Sequence, residues 1–272
     1  MGRLSGGQDI TRFRWVGSEA PLLDTPTIVR AGRVVVGRYG GNRGAGANSN
    51  EDGALVWCAG NGGWEFAVLL DAHFTAQSAE LVIDAFERER EAFVATLAQP
   101  VAGALSKLQQ QVLALFRSPG FRASCQAVEG EASCLIFARK EAYLWWLSIG
   151  DCVGYVFNEE QARFGQFAVN QRVFYEWVGQ QNTFDLAVPC YTSGTLLLRD
   201  GWSTLLLATD GLFEWGSQVF ADPVALYRLF ASQTMGTEWL EQAARTTLER
   251  VHAERARDSA TLLVWRCEQP VP

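Results

Sequence analysis

Four acidic residues of this chain lie at the ends of apolar segments. Asp71 and Asp210 each end an apolar run, whereas Asp52 and Asp258 each come just before one. Such runs predict strands that are buried on both faces. A carboxylate at the end of a buried strand is costly unless a partner compensates its charge. Because hard divalent cations bind clustered carboxylate oxygens, these residues are candidate metal ligands.

Asp71 has a simpler alternative role as a helix cap, because Asp is a preferred N-cap residue and a helix is expected to begin near Thr75. The same arrangement at Asp210 favours a shared site instead. His73 follows Asp71 closely and is a candidate for proton transfer near neutral pH. The other histidine, His252, lies in a charged helical stretch and is expected to be solvated.

The overall composition narrows the class of protein. A hydrophobic fraction of 48% with 19% charged residues is typical of a globular protein. The formal charge of −7 argues against a nucleic-acid partner and disfavours a metal-dependent nuclease. No apolar run has membrane-spanning length and no signal-peptide pattern is visible, so we expect no membrane partner and a cytoplasmic protein. The six cysteines form no C-x-x-C pair and are expected to be reduced thiols.

Several common catalytic motifs are missing from the sequence. It contains neither of the glycine-rich nucleotide-binding patterns and no G-x-S-x-G elbow. Two histidines and no paired cysteines make a zinc site of the usual ligand types a poor fit. The carboxylates and one histidine remain as the candidate functional groups.

The order of the predicted elements is strands, two helices, many strands, two helices and one strand. This order predicts an α+β sandwich of antiparallel sheets with helices outside. Residues 1–12 are expected to be a loose N-terminal end, residues 121–128 a strand, and residues 223–233 a helix. Residues 158–193 mix aromatic and polar residues and carry no periodicity on which to assign structure.

Five motifs together resemble the type 2C metal-dependent protein phosphatases, the PPM family. They are Asn50-Glu51-Asp52, Asp71-Ala72-His73, Gly150-Asp151, Thr209-Asp210-Gly211 and Asp258 with its strand. The resemblance spans about residues 27–267 and implies one catalytic domain over 1–272. It also implies a four-layer αββα sandwich with a binuclear Mn²⁺ or Mg²⁺ centre between two antiparallel sheets. The implied reaction is hydrolysis of phosphoserine or phosphothreonine in phosphoprotein substrates.

The resemblance also implies how the metals are held. Asp71 would bridge both ions, and the backbone carbonyl of Ala72 would bind one of them. Asp210 and Asp258 would bind the other ion.

Three further residues receive roles from the same resemblance. Glu51 and Asp52 would hold metal-bound waters. His73 would protonate the leaving seryl or threonyl oxygen.

The sequence departs from the family pattern in three places. Ala72 stands where the family usually has Gly, which a role through the backbone carbonyl tolerates. Ala47 stands where the family has a phosphate-binding Arg, four residues before Glu51. We consider Arg43, in a glycine-rich loop, as its replacement, and Glu129 as the acid that serves a third metal in some members.

A second hypothesis is a catalytically weak or inactive module that binds a phosphoprotein or signalling partner. The missing Arg and the ten tryptophans support it. The retained acids and the histidine favour catalysis, because binding alone does not require them. In either case we expect a monomer.

Overall fold

The computed structural model describes residues 9–231 and 237–270. The strands among them are β1 (Ile10–Val16), β2 (Thr27–Ala31), β3 (Val34–Tyr39), β4 (Gly53–Ala59), β5 (Trp64–Ala72), β6 (Glu131–Lys140), β7 (Tyr143–Ile149), β8 (Val153–Asn158), β9 (Val178–Gly179), β10 (Thr192–Leu197), β11 (Gly201–Ala208) and β12 (Ala260–Gln269). The α-helices are α1 (Gln77–Arg88), α2 (Arg90–Leu97), α3 (Val101–Arg117), α4 (Pro119–Cys125), α5 (Glu159–Ala162), α6 (Pro223–Phe230) and α7 (Thr237–Ala253).

The strands form two antiparallel sheets. The first has the order β1-β4-β5-β6-β7-β10, with β9 paired to β6, and the second has the order β2-β3-β12-β11-β8. One apolar core lies between the sheets. A second core lies between the first sheet and helices α1 to α4, and a third between the second sheet and helices α6 and α7. The predicted four-layer α+β sandwich is therefore confirmed.

Strand β5 shows how the sequence positions the candidate site. Phe66 and Val68 belong to the core under the helices, whereas Ala67 and Leu69 belong to the core between the sheets. Successive side chains of a strand point to opposite faces, so Asp71 shares the inter-sheet face with Leu69. A run that is apolar on both faces thus delivers one carboxylate to the end of the inter-sheet core.

The prediction of a strand at residues 121–128 is wrong, because residues 121–125 belong to helix α4. The Ser118 side chain accepts a hydrogen bond from the Phe121 N–H, and Pro119 occupies the first helical turn. Both features favour a helix start. Phe121 and Cys125 then lie four residues apart on the buried face of α4.

The N-terminal prediction needs a correction at residues 10–12. They are the first residues of β1, which pairs with β4 from Ile10 opposite Ala59 to Val16 opposite Gly53. The loose end predicted for residues 1–8 lies outside the described residues, as do positions 232 and 233 of the predicted helix 223–233. Helix α6 itself ends at Phe230.

The structure bears on two predictions about the whole chain, the state of its cysteines and its lack of a membrane-spanning segment. The cysteines at positions 58, 125, 134, 152, 190 and 267 are free thiols, as predicted, and all but Cys190 are buried. Among the described helices, none combines the length and the hydropathy needed to cross a bilayer.

A buried ion pair joins β5 to β6 far from the acids. Arg139 donates to both Glu65 carboxylate oxygens, at 2.6 and 2.5 Å, and Glu65 has no exposed surface. We expect Glu65→Leu to lower the free energy of unfolding by about 3–5 kcal/mol, because it leaves a buried guanidinium unpaired. Urea denaturation would measure this. The exposed Arg30–Glu241 pair is the control, and Glu241→Ala should cost less than about 1 kcal/mol. Equal losses in both variants would contradict the prediction.

Candidate metal centre

Three carboxylates from both sheets meet at one end of the inter-sheet core. Asp71, Asp151 and Asp210 each offer an oxygen within 4.8 Å of the others. Asp71 lies on β5, Asp151 follows β7, and Asp210 follows β11 of the second sheet. The Asp210 backbone N–H points at Asp71 Oδ2, with 3.5 Å between nitrogen and oxygen. Clustered, largely buried carboxylates are a donor set that fits a hard divalent cation.

Asp52 lies beside this cluster and ties the two sheets together. It immediately precedes β4 of the first sheet and is completely buried. Its carboxylate accepts hydrogen bonds from the hydroxyls of Ser259, at 2.9 Å, and Thr261, at 2.6 Å. The Thr209 hydroxyl lies 3.4 Å away. These three hydroxyls belong to the second sheet or its ends, so Asp52 has a structural role besides its predicted role near the metals.

Burial and mutual repulsion raise the pKa values of these acids in the metal-free protein. Burial is the main cause for Asp52, whose pKa rises to about 8, with a smaller contribution from Asp258. The pKa of Asp71 lies well above its usual range because of burial and then of repulsion from Asp210 and Asp52. Burial, followed by repulsion from Asp151, raises the pKa of Asp210 to about 6. A bound cation would favour the charged forms and reverse these shifts.

Glu51 and Asp258 share a cavity of about 370 Å³. Its remaining lining comes from residues 46–49, Arg257 and Ser259. Asp258 acts electrostatically on both Asp71 and Asp210, which links the cavity to the buried acids. Ala72, the last residue of β5, is buried next to Asp71. The structure therefore brings the residues predicted to hold two ions and their waters into one region.

His73 lies directly after β5, partly exposed, and its ring packs edge-on against Trp177. The ring centroids are 4.9 Å apart with an interplanar angle of 70°. The His73 backbone N–H donates to the Glu131 carbonyl at 2.8 Å. Its imidazole Nδ1 is buried and has no hydrogen-bond partner within residues 9–231 and 237–270. The imidazole is thus positioned by packing. Burial raises the pKa of Asp258, and the nearby His73 partly offsets this rise.

Asp151 was not assigned a role from the sequence, although the Gly150-Asp151 dipeptide was part of the resemblance. The Ser133 hydroxyl donates to Asp151 Oδ1 at 2.5 Å. Gly150 has φ of +88°, and a Cβ there would lie 2.3 Å from the Ser133 hydroxyl oxygen. Only glycine fits this turn, and the turn directs Asp151 toward Asp71 and Asp210.

Arg172 is a second residue that sequence reasoning missed. One terminal nitrogen of its guanidinium lies 2.5 Å from Glu214 Oε1 and 3.3 Å from Asp210 Oδ2. The same nitrogen lies 3.9 Å from Asp151 Oδ2. Arg172 therefore supplies positive charge on one side of the cluster. It comes from the aperiodic segment 158–193, where no pattern in the sequence pointed to it.

Two predicted residues are not placed among the acids. Glu129 is exposed, and its backbone N–H donates to Gln77 Oε1 at 3.0 Å. Its carboxylate does not belong to the cluster around Asp71. The Arg43 guanidinium lies 3.7 Å from the Asp24 carboxylate, with 66% of the side chain exposed, and Arg43 does not line the cavity of Glu51.

Comparison with solved structures identifies the fold. A bacterial serine phosphatase crystallised as a point mutant superimposes with a TM-score of 0.63 at 13% identity, covering 96% of this chain and 100% of that one. The catalytic domain of the serine/threonine phosphatase PstP in complex with two manganese ions gives 0.55 at 15%, covering 96% and 100%. PppA, a regulatory component of the type VI secretion system of Pseudomonas aeruginosa, gives 0.54 at 15%, covering 95% and 97%. No family model and no curated protein matches the sequence. The chain thus has the fold of the bacterial PPM-type serine/threonine phosphatases, the family that its motifs resemble.

Proposed function

We propose that this protein is a phosphatase that hydrolyses phosphoserine or phosphothreonine in proteins and depends on two Mn²⁺ or Mg²⁺ ions. The observation that carries the proposal is the buried meeting point of Asp71, Asp151 and Asp210 between the sheets. His73 follows Asp71 by two residues. Several carboxylates in one buried place are unfavourable without a cation. We further propose that one catalytic domain, acting as a cytoplasmic monomer, performs this reaction.

Different residues of the chain would perform different parts of the reaction. Asp71, Asp151, Asp210, Asp258 and the Ala72 carbonyl would hold the ions. When bound, two such ions would neutralise charge on the phosphoryl oxygens and lower the pKa of water. Asp52 holds the two sheets together at the site, because its carboxylate accepts hydrogen bonds from the hydroxyls of Ser259 and Thr261.

His73 would give a proton to the leaving alkoxide of the substrate. An imidazole is suited to this step because its ordinary pKa lies near neutral pH. Its contact with Trp177 limits the orientations of the ring. Glu51, on the wall of the adjoining cavity, would orient water there.

A binding module without turnover is the second candidate, and Arg172 is the observation that bears on it. Its guanidinium already compensates part of the negative charge of Asp210 and Glu214. In that case the protein would bind a phosphoprotein or signalling partner through the same face without hydrolysing it.

An assay with and without metal separates the two candidates. We expect metal-stripped protein to regain turnover of phosphoserine or phosphothreonine peptides, or of an aryl phosphate, when Mn²⁺ or Mg²⁺ is added at millimolar concentration. EDTA should abolish this turnover, because the carboxylates lose the ions they hold. Calorimetric titration with Mn²⁺ would report binding independently of turnover. Metal binding without turnover of several phosphopeptides would support the binding module.

A further inference from the structure

We propose that Arg257 binds the phosphate group of the substrate and takes the role of the arginine that is missing at Ala47. This inference rests on the proposed phosphatase function, because it names the residue that holds the substrate at that same site. Arginine suits the role because its planar guanidinium can make two parallel hydrogen bonds to a phosphate.

Arg257 lies directly before Asp258, one of the proposed metal ligands. It lines the cavity of about 370 Å³ together with Ala47, Glu51 and Asp258. A Cβ placed on Gly46 would lie 3.8 Å from Arg257 Nε, so the guanidinium end of the side chain runs past residue 46 beside Ala47. The Arg257 guanidinium can therefore reach the part of the cavity that an arginine at position 47 would reach.

The Arg257 guanidinium is free to take a ligand. In the part of the chain that the structure describes, no carboxylate lies within 4.0 Å of it and no hydrogen bond involves the side chain. Arg172, by contrast, is held by Glu214 and Asp210. An exposed arginine in an acidic cavity without an ion pair has its donors available for an anion.

Close packing of two loops fixes the position of Arg257. Gly41 has φ of +85°, and a Cβ there would lie 2.1 Å from the Arg257 carbonyl oxygen. The Asn42 N–H donates to the Ala256 carbonyl at 2.8 Å. The Arg255 guanidinium donates to the Gly44 carbonyl at 3.3 Å. The loop that carries Arg257 is therefore anchored on the glycine-rich loop that carries Ala47.

Arg43, the replacement predicted from the sequence, is less well placed. It belongs to the same glycine-rich loop, but its backbone N–H donates to Asp24 Oδ1 at 2.9 Å and its guanidinium faces the same carboxylate. Arg43 is therefore a matched control for Arg257: both are exposed arginines of neighbouring loops, and only Arg257 lines the cavity.

Binding of inorganic phosphate to the Mg²⁺-loaded protein tests the inference without relying on turnover. We expect Arg257→Ala to weaken phosphate binding by about tenfold in calorimetry, because charge-assisted hydrogen bonds to the guanidinium are lost. Arg257→Lys should fall between wild type and Arg257→Ala, since lysine keeps the charge and loses the planar fork. Arg43→Ala should bind phosphate within about twofold of wild type, as expected for an exposed pair. Mg²⁺ affinity and thermal unfolding should be unchanged in all three variants.

Unchanged phosphate binding in Arg257→Ala would overturn the inference, and so would an equal loss in Arg43→Ala. Wild-type protein that binds Mg²⁺ but not phosphate would overturn it too. If the proposed phosphatase function is wrong but this inference is right, the result is different: phosphate binding depends on Arg257 although the protein hydrolyses no phosphoester. If turnover exists, Arg257→Ala should raise KM more than it lowers kcat, since the phosphate is held in both the ground state and the transition state.

Discussion

Asp71→Asn and Asp210→Asn should each abolish metal-dependent phosphatase activity while the protein stays folded. The amide keeps the size of the carboxylate but removes the negative charge that the ions require. Changes to outer partners of metal ligands already cost about 10- to 100-fold in metal affinity or activity, so loss of a central ligand should cost more than about 100-fold. Calorimetric titration with Mn²⁺ and a phosphopeptide assay measure the two effects separately.

The metal-free form of the Asp71 variant should be at least as stable as the metal-free wild type. The negative charges of Asp210 and Asp52 repel that of Asp71, and a neutral amide at position 71 would remove this repulsion. Asp84→Asn, an exposed acid on α1, is the control and should leave Mn²⁺ affinity and activity unchanged. Unaltered Mn²⁺ affinity in both Asp71→Asn and Asp210→Asn would show that these carboxylates do not form the metal site. Asp71 does not cap helix α1, whose N-cap residue is Ala76, so the binding module without turnover would then become the better hypothesis.

The metal-free protein should lose stability as the pH rises from about 4 to 8. The folded pKa of Asp52 is about 8 and that of Asp210 about 6, both above the ordinary value of 3.8. In this window the folded state holds protons that the unfolded state has already released, so each rise in pH favours unfolding. One unit of pKa difference corresponds to about 1.4 kcal/mol, and we expect a loss of at least that size across the window.

Urea denaturation of EDTA-treated protein at several pH values measures this loss. Asp52→Asn should flatten the dependence, because the amide does not titrate and can still hydrogen-bond to Ser259 and Thr261. Added Mn²⁺ should restore stability most strongly at the upper end of the window, where the carboxylates are ionised. A metal-free protein whose stability is constant or rises between pH 5.5 and pH 8 would contradict the prediction.

The pairing of the four predicted acids with strand ends followed from the sequence, because the pattern that makes a buried strand is local. Apolar runs before Asp71 and Asp210, and after Asp52 and Asp258, define strands whatever their neighbours are. The motifs in their order also indicated the fold, which the structural comparison confirms. Local signals failed at residues 121–128, where the cap at Ser118 outweighed the apolar content of the segment.

Only the tertiary structure decided which charged groups face these acids. Arg172 reaches Asp210 from a segment with no periodicity, and Arg257 reaches the cavity because its loop packs on Gly41. Asp151 is directed inward by the turn at Gly150 over Ser133. Such contacts join residues far apart in the chain, and they depend on how the two sheets are stacked. The sequence by itself thus determined the strands next to the four predicted acids, the fold and those four candidate acids. The stacking of the sheets and the packing of the loops determined the charge around them, because electrostatic energy depends on distances in space rather than on spacing along the chain.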